Sequence, residues 1–374
     1  MDDEETTESF FNAAFDSWIE LNLSATFAQF ARELRPLCGS LPLIVHHRDR
    51  IFDILHRYIA KRDALALEPL LDLLAQFAHD LGASFEPHLA PSVALLSSLV
   101  ARHVDAQTVE WTFNCLAYLL KYLSRLLVPD LRPLYDTLAP LLGREDQKAF
   151  VVRFAAEALS FLVRKAKADS LRLIVRHAFQ DLLVNAARPE ASAYPHGLMT
   201  MFKEACISVD QTVHSRGPQL FGTILQAVAE QQPDADGACL HVVQGVLIGL
   251  IHHTTREAFQ SILVVVQGHI RSGLAVGDVE PRKLRIAASL LFTCVSARKG
   301  DRIQHWDAIG DVLLNAVGAM HRLPLADEGS TEAAWQVLKA TAVTTNYADA
   351  HAVISKCSRI IEQAKDFQVH LHPV

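Results

Sequence analysis

Histidine is the first residue type to consider for chemistry in this 374-residue chain, because an imidazole ring can bind a metal ion or move a proton. The chain contains 18 histidines, including the adjacent pairs His46-His47 and His252-His253. Adjacent residues of a helix point about 100° apart, so neither pair can readily chelate one ion. The zinc pattern H-E-x-x-H does not occur, and the six cysteines include no C-x-x-C pair. We therefore predict no metal site and no cofactor, with the histidines partly exposed on helices.

Motifs for catalysis are equally sparse. The triplet His47-Arg48-Asp49 is similar to a kinase catalytic loop, but that loop needs an asparagine five residues after the aspartate, where this chain has Ile54. No phosphate-binding glycine-rich loop and no G-x-S-x-G turn occur. Carboxylate pairs such as Asp234 and Asp236 stand in polar loops, where nothing would shift their pKa values. We predict that the protein is not an enzyme.

Clustered basic residues are the remaining candidates for a site. We define a first basic group around one turn between helices and a second one further along, and both could bind phosphates or acidic partner segments. The alternative is a solvated polar edge with intrahelical pairs such as Arg153–Glu157. Nearly every aromatic residue falls on an apolar arc, so the sequence identifies no exposed aromatics for base stacking. The first group is Arg153, Arg164, Lys165, Lys167 and Arg172, and the second is Arg282, Lys283 and Arg285.

The stretch 153–165, RFAAEALSFLVRK, shows what kind of element must position the first group. At helical spacing Arg153, Glu157, Ser160 and Arg164 share one narrow polar strip, and apolar residues fill the rest of the circumference. A helix with so wide an apolar surface must be covered by neighbours on two sides. Stacked helical hairpins provide such cover.

The whole chain follows a helical pattern with regular breaks. Paired helices begin near residues 41, 85, 129, 169, 213, 254, 301 and 346, a spacing of about 40 to 47 residues. Prolines fall in first turns, as in 67–70, 85–88 and 131–134. We predict an all-α fold, a HEAT/armadillo-type α-solenoid of stacked hairpins. It would run continuously over residues 9–374 after an acidic flexible tail at 1–8, with the pair from Ser9 to Arg35 as an end cap.

Composition excludes several classes of protein. The chain is 50% hydrophobic and 21% charged, which is enough apolar sequence for a large core. A net charge of −7 and a pI near 6.2 argue against a surface dominated by nucleic-acid binding. The acidic N-terminus lacks the pattern of a signal peptide, and the longest apolar run, 242–251, is too short to span a bilayer. We expect an intracellular protein with buried thiols and no membrane partner.

Several blocks of this sequence resemble the N-terminal region of one family. They match in order and spacing, from about Phe10 to Arg216, and beyond residue 235 the likeness fades to generic helical repeats. The family is named after U3 small nucleolar RNA-associated protein 20 and is also called the "down-regulated in metastasis" family. The blocks are SWIELNLSATFAQF (17–30), LEPLLDLLAQFAHDLGASF (67–85), EWTFNCLAYLLKYLSRLLV (110–128), RFAAEALSFLVRK (153–165), and the weaker YPHGLMTMFKEA (194–205) and VHSR (213–216).

The resemblance implies a function that no motif supplies. It implies the first part of a very long HEAT-repeat protein of the nucleus and nucleolus, without catalytic residues. That protein would be a scaffold of the small-subunit processome, in 18S rRNA maturation and 40S subunit biogenesis. Its expected partners are other processome proteins, with pre-rRNA and U3 snoRNA present in the same particle. A HEAT-type nuclear transport receptor or another adaptor is the alternative.

Overall fold

In the computed structural model, most of the described residues are helical. The described residues fall into two compact units. The first unit holds the described residues from 9 to 174 and residues 193–197, and the second holds residues 175–186 and the described residues from 198 to 297. Within the described part, no helix is long and apolar enough to cross a membrane. The description covers residues 9–100, 105–123, 132–143, 149–186, 193–208, 210, 212–231, 236–273 and 281–297.

The first unit is built from helices in two layers. Helices α1, α5, α7 and α9 contact one another in that order in one layer, and α2, α4, α6 and α8 do so in the other. Consecutive helices such as α6 and α7 join the layers, so each pair stacks on the preceding pair. The helices are α1 Phe10–Leu21, α2 Ala25–Leu34, α3 Leu41–His46, α4 Arg48–Ala60, α5 Leu67–Leu81, α6 Glu86–Val100, α7 Ala106–Tyr122, α8 Arg132–Leu138 and α9 Ala149–Lys165.

Stacked pairs of this kind confirm the predicted all-α solenoid class. The predicted hairpin starts near residues 41, 85, 129 and 169 agree with the starts of α3 at Leu41, α6 at Glu86, α8 at Arg132 and α10 at Ala168. The assignment to the HEAT or armadillo type stays a prediction. So does the continuity of the array over residues 9–374. The acidic tail at 1–8 and the hairpins predicted near 301 and 346 lie outside the described residues.

Helix α5 shows how the sequence sets the ends and the buried side of an element. Its first turn accepts Pro69 because an N-terminal backbone N–H has no partner in the helix. The helix stops at Gly82, whose φ of +49° is a left-handed conformation that a glycine adopts without strain. Its predicted buried residues, from Leu70 to Leu81, are buried against α1, α4 and α7.

Helix α9 carries one correction to the predicted polar strip. Arg153 and Glu157 are exposed and form the predicted pair, with Nε and Oε1 3.4 Å apart. Ser160 was placed on the same strip, yet it is only 1% exposed. Its hydroxyl donates to the Glu157 carbonyl at 2.7 Å, which satisfies the polar group inside the core. Phe154 was predicted on the apolar side and is half-buried, stacked on Phe113 with ring centroids 5.3 Å apart.

The predicted first pair of helices is present as α1 and α2, and its role as an end cap stays a prediction. Phe11 and Phe15 of α1 and Phe27 and Phe30 of α2 are buried toward α5 and α4. Asp80 of α5 fixes the start of α1, because its carboxylate accepts from the Ser9 hydroxyl and the next two backbone N–H groups at 2.6–3.1 Å. A carboxylate at a helix N-terminus supplies partners for donors that the helix leaves unpaired.

The second unit repeats the layered packing. Helix α12 contacts α14, α13 contacts α15, and α14 contacts both α13 and α15. Residues Ile207 and Val213 form an isolated antiparallel bridge in the connection between α11 and α12. The helices are α10 Ala168–Ala186, which begins in the first unit, α11 Tyr194–Cys206, whose first turn belongs there too, α12 Gly217–Ala229, α13 Asp236–His253, α14 Arg256–Gly273 and α15 Pro281–Ala297.

The glycines of the G-x-x-x-G pattern on α13 allow a close helix crossing, as expected for a repeat protein. A Cβ on Gly245 would lie 3.0 Å from Cγ of Met199, and one on Gly249 would lie 2.7 Å from Cδ of Lys203. Both contacted residues belong to α11. The small residues therefore let α11 and α13 approach within the second unit.

Two substitutions on α9 test the burial pattern. Leu162 is 2% exposed, and Leu162→Asp would place an unpaired carboxylate in the core, at an expected cost of at least about 3 kcal/mol. Lys165→Glu changes an exposed residue of the same helix and should alter stability by less than about 0.5 kcal/mol. Thermal unfolding followed by circular dichroism measures both, and equal losses would contradict the assignment of the two faces.

A pair of glycines separates helix propensity from packing. Alanine in place of a helical glycine ordinarily stabilises by up to about 1 kcal/mol, and we expect this for Gly268, where a Cβ meets no atom within 4 Å. A Cβ on Gly197 would lie 2.9 Å from Cβ of Leu142 and against its backbone. Gly197→Ala should therefore destabilise by about 1–3 kcal/mol. Stabilisation by both substitutions in urea unfolding would show that Gly197 is not tightly packed.

Candidate partner-binding surfaces

The first basic group lies around the turn between α9 and α10, but its members do not all come together. Lys165, Lys167 and Arg172 are exposed at this turn, while Arg164 is half-buried. Arg153 lies twelve residues before Lys165, about 18 Å along the helix, and is paired with Glu157. The candidate surface for a partner is therefore Lys165, Lys167 and Arg172. For Arg153 the alternative interpretation applies, because this residue forms the intrahelical pair with Glu157.

The second basic group lies at the start of α15. Lys283 and Arg285 are half-buried there, and the Cβ of Lys283 lies close to Gly273 at the end of α14. Arg282 belongs to the same helix, but its side chain is outside the described residues. The two groups belong to different units of the fold. We treat the first group as the stronger candidate, because three of its cations are exposed.

The adjacent histidine pairs lie at helix ends, and the four cysteines with described side chains are buried. His46, His252 and His253 are exposed at helix ends, and His47 is half-buried at the start of α4. The part of the chain that the structure describes contains no group of three or more possible metal ligands. Among the buried thiols, burial raises the pKa of Cys38 to about 11, so this thiol is protonated and unreactive at neutral pH.

His88 is a buried histidine with a packing role. Its ring stacks on Phe52 at a centroid distance of 4.3 Å and meets the edge of Phe85 at 5.8 Å. Burial lowers the pKa of His88, although Asp49, with Oδ1 3.2 Å from Nε2, partly opposes this effect. The Asp49 side chain is 77% exposed, so water screens much of its charge and burial dominates. The folded protein therefore favours the neutral imidazole.

A row of aromatic rings crosses the surface of the first unit, which sequence reasoning missed. We call Phe10, His79, Tyr122 and Tyr118 the aromatic row. The ring centroids of Phe10 and His79 are 4.2 Å apart, those of His79 and Tyr122 4.4 Å, and those of Tyr122 and Tyr118 5.9 Å. Phe10 is 56% exposed and Tyr118 45%, and the sequence had identified neither as an exposed aromatic residue.

A signal for this row was present in α7. The polar side of that helix carries Asn114 and Lys121, and Tyr118 lies four residues after one and three before the other. It must therefore point to the same side as they do. The contribution of Phe10 could not be found in this way, because its ring meets α5 only through tertiary packing.

Comparison with known proteins gives evidence on the family of this chain. No profile of a known protein family matches the chain. The chain is 36% identical over 304 residues to "U3 small nucleolar RNA-associated protein 20" of Schizosaccharomyces pombe, which covers 81% of this chain and 11% of that protein. It is 33% identical over 305 residues to the Saccharomyces cerevisiae protein of the same name, which covers 80% of this chain and 12% of that protein.

The fold defines the class: in the residues that the structure describes, this is an all-α solenoid-type protein whose helices pack in layers within each unit. Its sequence then gives the family, since the chain belongs to the family of U3 small nucleolar RNA-associated protein 20, as the sequence blocks predicted. The chain spans about a tenth of the length of the curated relatives it matches. A crystal structure of an engineered protein covers 94% of the chain at 13% identity and a TM-score of 0.30, so the class rests on the helices themselves.

The environment of His88 predicts a pH dependence of stability. The pKa of His88 in the folded protein lies below the ordinary value of 6.5. As the pH falls below 6.5, the unfolded chain binds a proton at this histidine before the folded protein does. The free energy of unfolding is therefore unaffected above pH 6.5 and falls as the pH drops toward the folded-state pKa. His88→Phe keeps an aromatic ring against Phe52 and removes the titratable imidazole. Between pH 7 and pH 5 its free energy of unfolding should fall less than that of the wild type, by up to about 1.4 kcal/mol per pH unit. His46→Phe, at an exposed position, is the control, and equal slopes for all three proteins would contradict the assignment.

Proposed function

We propose that this chain is part of a non-catalytic scaffold of the small-subunit processome, in 18S rRNA maturation and 40S subunit biogenesis. The observation that carries the proposal is the 36% identity over 81% of the chain to a protein whose name associates it with U3 small nucleolar RNA. The place of action would be the nucleolus within the nucleus. Its partners would be other processome proteins, with pre-rRNA and U3 snoRNA held in the same particle.

The architecture supports a placement role. Stacked helical pairs expose long edges and helix ends, and each edge can carry a separate weak contact. Several weak contacts made by one chain combine into tight binding, because the second contact forms at a high effective concentration. The exposed cations at the α9–α10 turn suit one such contact, to phosphates or to an acidic segment.

Replacement of the matched region in the budding-yeast relative tests the role. A chimera that carries this chain in place of that region should support growth, recover U3 RNA on affinity purification, and maintain 18S rRNA relative to large-subunit rRNA. The same chimera with Leu162→Asp should fail in all three measurements, because its repeats unfold. Recovery of import cargo without U3 RNA would instead favour the transport-receptor alternative and contradict the proposal.

The basic turn gives a finer prediction within the same chimera. Lys165→Glu, Lys167→Glu and Arg172→Glu together should reduce recovery of U3 RNA. The difference from the unmutated chimera should shrink between 50 and 200 mM salt, because salt screens the charge contacts that only the unmutated chimera makes. Circular dichroism should show an unchanged fold. Arg50→Glu, Lys61→Glu and Arg271→Glu form the control, with the same change in net charge at three exposed, unclustered positions. Equal losses for the two triple variants would show that the turn makes no specific contact.

A further inference from the structure

We propose that the aromatic row on α1, α5 and α7 binds single-stranded RNA, with bases stacked on its rings and phosphates placed at the lysines beside it. The inference deepens the proposed function, because it names a direct RNA contact for the scaffold. Its test uses the purified chain, so its failure and the failure of the processome role can be told apart.

The row offers exposed ring surface across three helices. Phe10 and Tyr118 at its two ends are 56% and 45% exposed, and the His79 side chain between them is 32% exposed. The contacts of His79 with Phe10 and with Tyr122 are edge-to-face, with interplanar angles of 71° and 75°. Such a contact covers at most one face of one ring. Every base has a flat π-face, so the exposed rings can each receive a base.

Two lysines lie next to the row at the ends of α7 and α9. Lys121 is exposed, and its ammonium lies 5.9 Å from the ring centroid of Tyr122. Lys165 is exposed on α9, eleven residues after Phe154 and therefore on the same side of that helix. Phe154 stacks on Phe113 of α7, so this side of α9 faces α7. The row therefore has cations beside its α7 end.

The carboxylates of α1, α5 and α7 do not oppose an anionic partner at the rings. Asp80 is 3% exposed, and its oxygens accept from the Ser9 hydroxyl and from the backbone at the start of α1. Asp72 accepts from the Trp18 indole and from the Gln76 amide. The others lie at least about 9 Å along their helices from the nearest ring of the row, and they are Asp16, Glu20, Glu68 and Glu110.

The distribution of charge decides where the phosphates of a bound strand lie. Acidic residues at positions 2–5 and 8 precede Phe10 in the sequence. Beyond the other end of the row, Lys165 is followed by the exposed cations Lys167 and Arg172 of the α9–α10 turn. Phosphates are attracted to lysine and arginine. We therefore expect the backbone of the strand to leave the row at Lys121 and Lys165, toward the α9–α10 turn.

The combination of rings and lysines favours a single strand over other anionic partners. Base stacking on aromatic side chains together with cations along the backbone is how proteins bind single-stranded nucleic acids. A double helix keeps its base faces inside its own stack, so it could use the lysines but not the rings. An acidic peptide would likewise use the lysines alone.

The rings are held in place before any partner arrives. Asp80 binds the start of α1 to α5 and so keeps Phe10 against His79. Tyr118 and Tyr122 are four residues apart on one helix, which fixes their spacing. A rigid surface loses little conformational entropy on binding, so even a short strand can bind measurably.

Fluorescence anisotropy with the 374-residue chain tests the proposal. The probe is a fluorescein-labelled decamer of uridine, and we expect tighter binding than for an abasic decamer that has the same phosphates and no bases. Phe10→Ser with Tyr118→Ser should raise the Kd of the uridine decamer at least about tenfold, because both exposed rings are lost. Tyr118→Phe keeps the ring and should leave the Kd unchanged.

The control for the rings uses exposed apolar residues at the opposite end of α1. Leu21→Ser with Leu23→Ser removes similar exposed surface, about 15 Å or more from Phe10 along the helix, and should leave the Kd unchanged.

The salt dependence of the same binding tests the lysines. Lys121→Gln should reduce the slope of log Kd against log salt concentration by about 0.7, the value for one phosphate contact of a single strand. Lys61→Gln, at an exposed position at the end of α4, is the matched control and should leave the slope unchanged.

Three results would overturn the proposal. Equal Kd values for the uridine and abasic decamers would show that only charge is recognised, and an unchanged Kd in the double variant of the row would show that the rings are not used. Tighter binding of a decapeptide of alternating glutamate and glycine would identify an acidic protein segment as the partner. If the chimera recovers U3 RNA but the purified chain binds no uridine decamer, only this inference fails. If the decamer binds but the chimera recovers no U3 RNA, only the processome role fails.

Discussion

Helix α5 can bury its apolar residues only between neighbours on more than one side. Ten of its fifteen residues are buried, and they face α1, α4 and α7. Burial of each leucine or phenylalanine contributes roughly 1.5–3 kcal/mol, but only where the adjacent helix is present to exclude water. The same requirement applies to α9, so the packed helices of the first unit depend on their neighbours in the stack. The layered arrangement follows from this requirement.

Buried polar groups show how such a core tolerates imperfect amphipathicity. Ser92, Thr112 and Ser160 are buried, and each hydroxyl donates to a carbonyl three or four residues earlier in its own helix. A short hydroxyl can therefore enter the core without a partner from another element. Asp80 solves the opposite problem, since its carboxylate accepts from the unpaired donors at the start of α1. These local bonds leave the outer edges of the layers free to carry charge and aromatic rings.

The turn between α9 and α10 is a surface whose charge restricts its partners. It presents three exposed cations, Lys165, Lys167 and Arg172. A surface of one sign rejects partners of the same sign, so this turn favours phosphates and acidic segments over basic ones. Membership of the U3 small nucleolar RNA-associated protein 20 family gives this arrangement a biological setting, while the stacked helices give it a physical mechanism.

The sequence by itself determined the helical class, the hairpin spacing in the described part of the chain, the buried side of α5 and the family. These follow from local periodicity, from the positions of proline and glycine, and from ordered blocks of similar sequence. Only the tertiary structure decided which exposed residues lie together. It placed Ser160 in the core and brought Phe10 of α1 to His79 of α5. Periodicity reports the face of one helix, whereas a surface shared by three helices depends on how they pack.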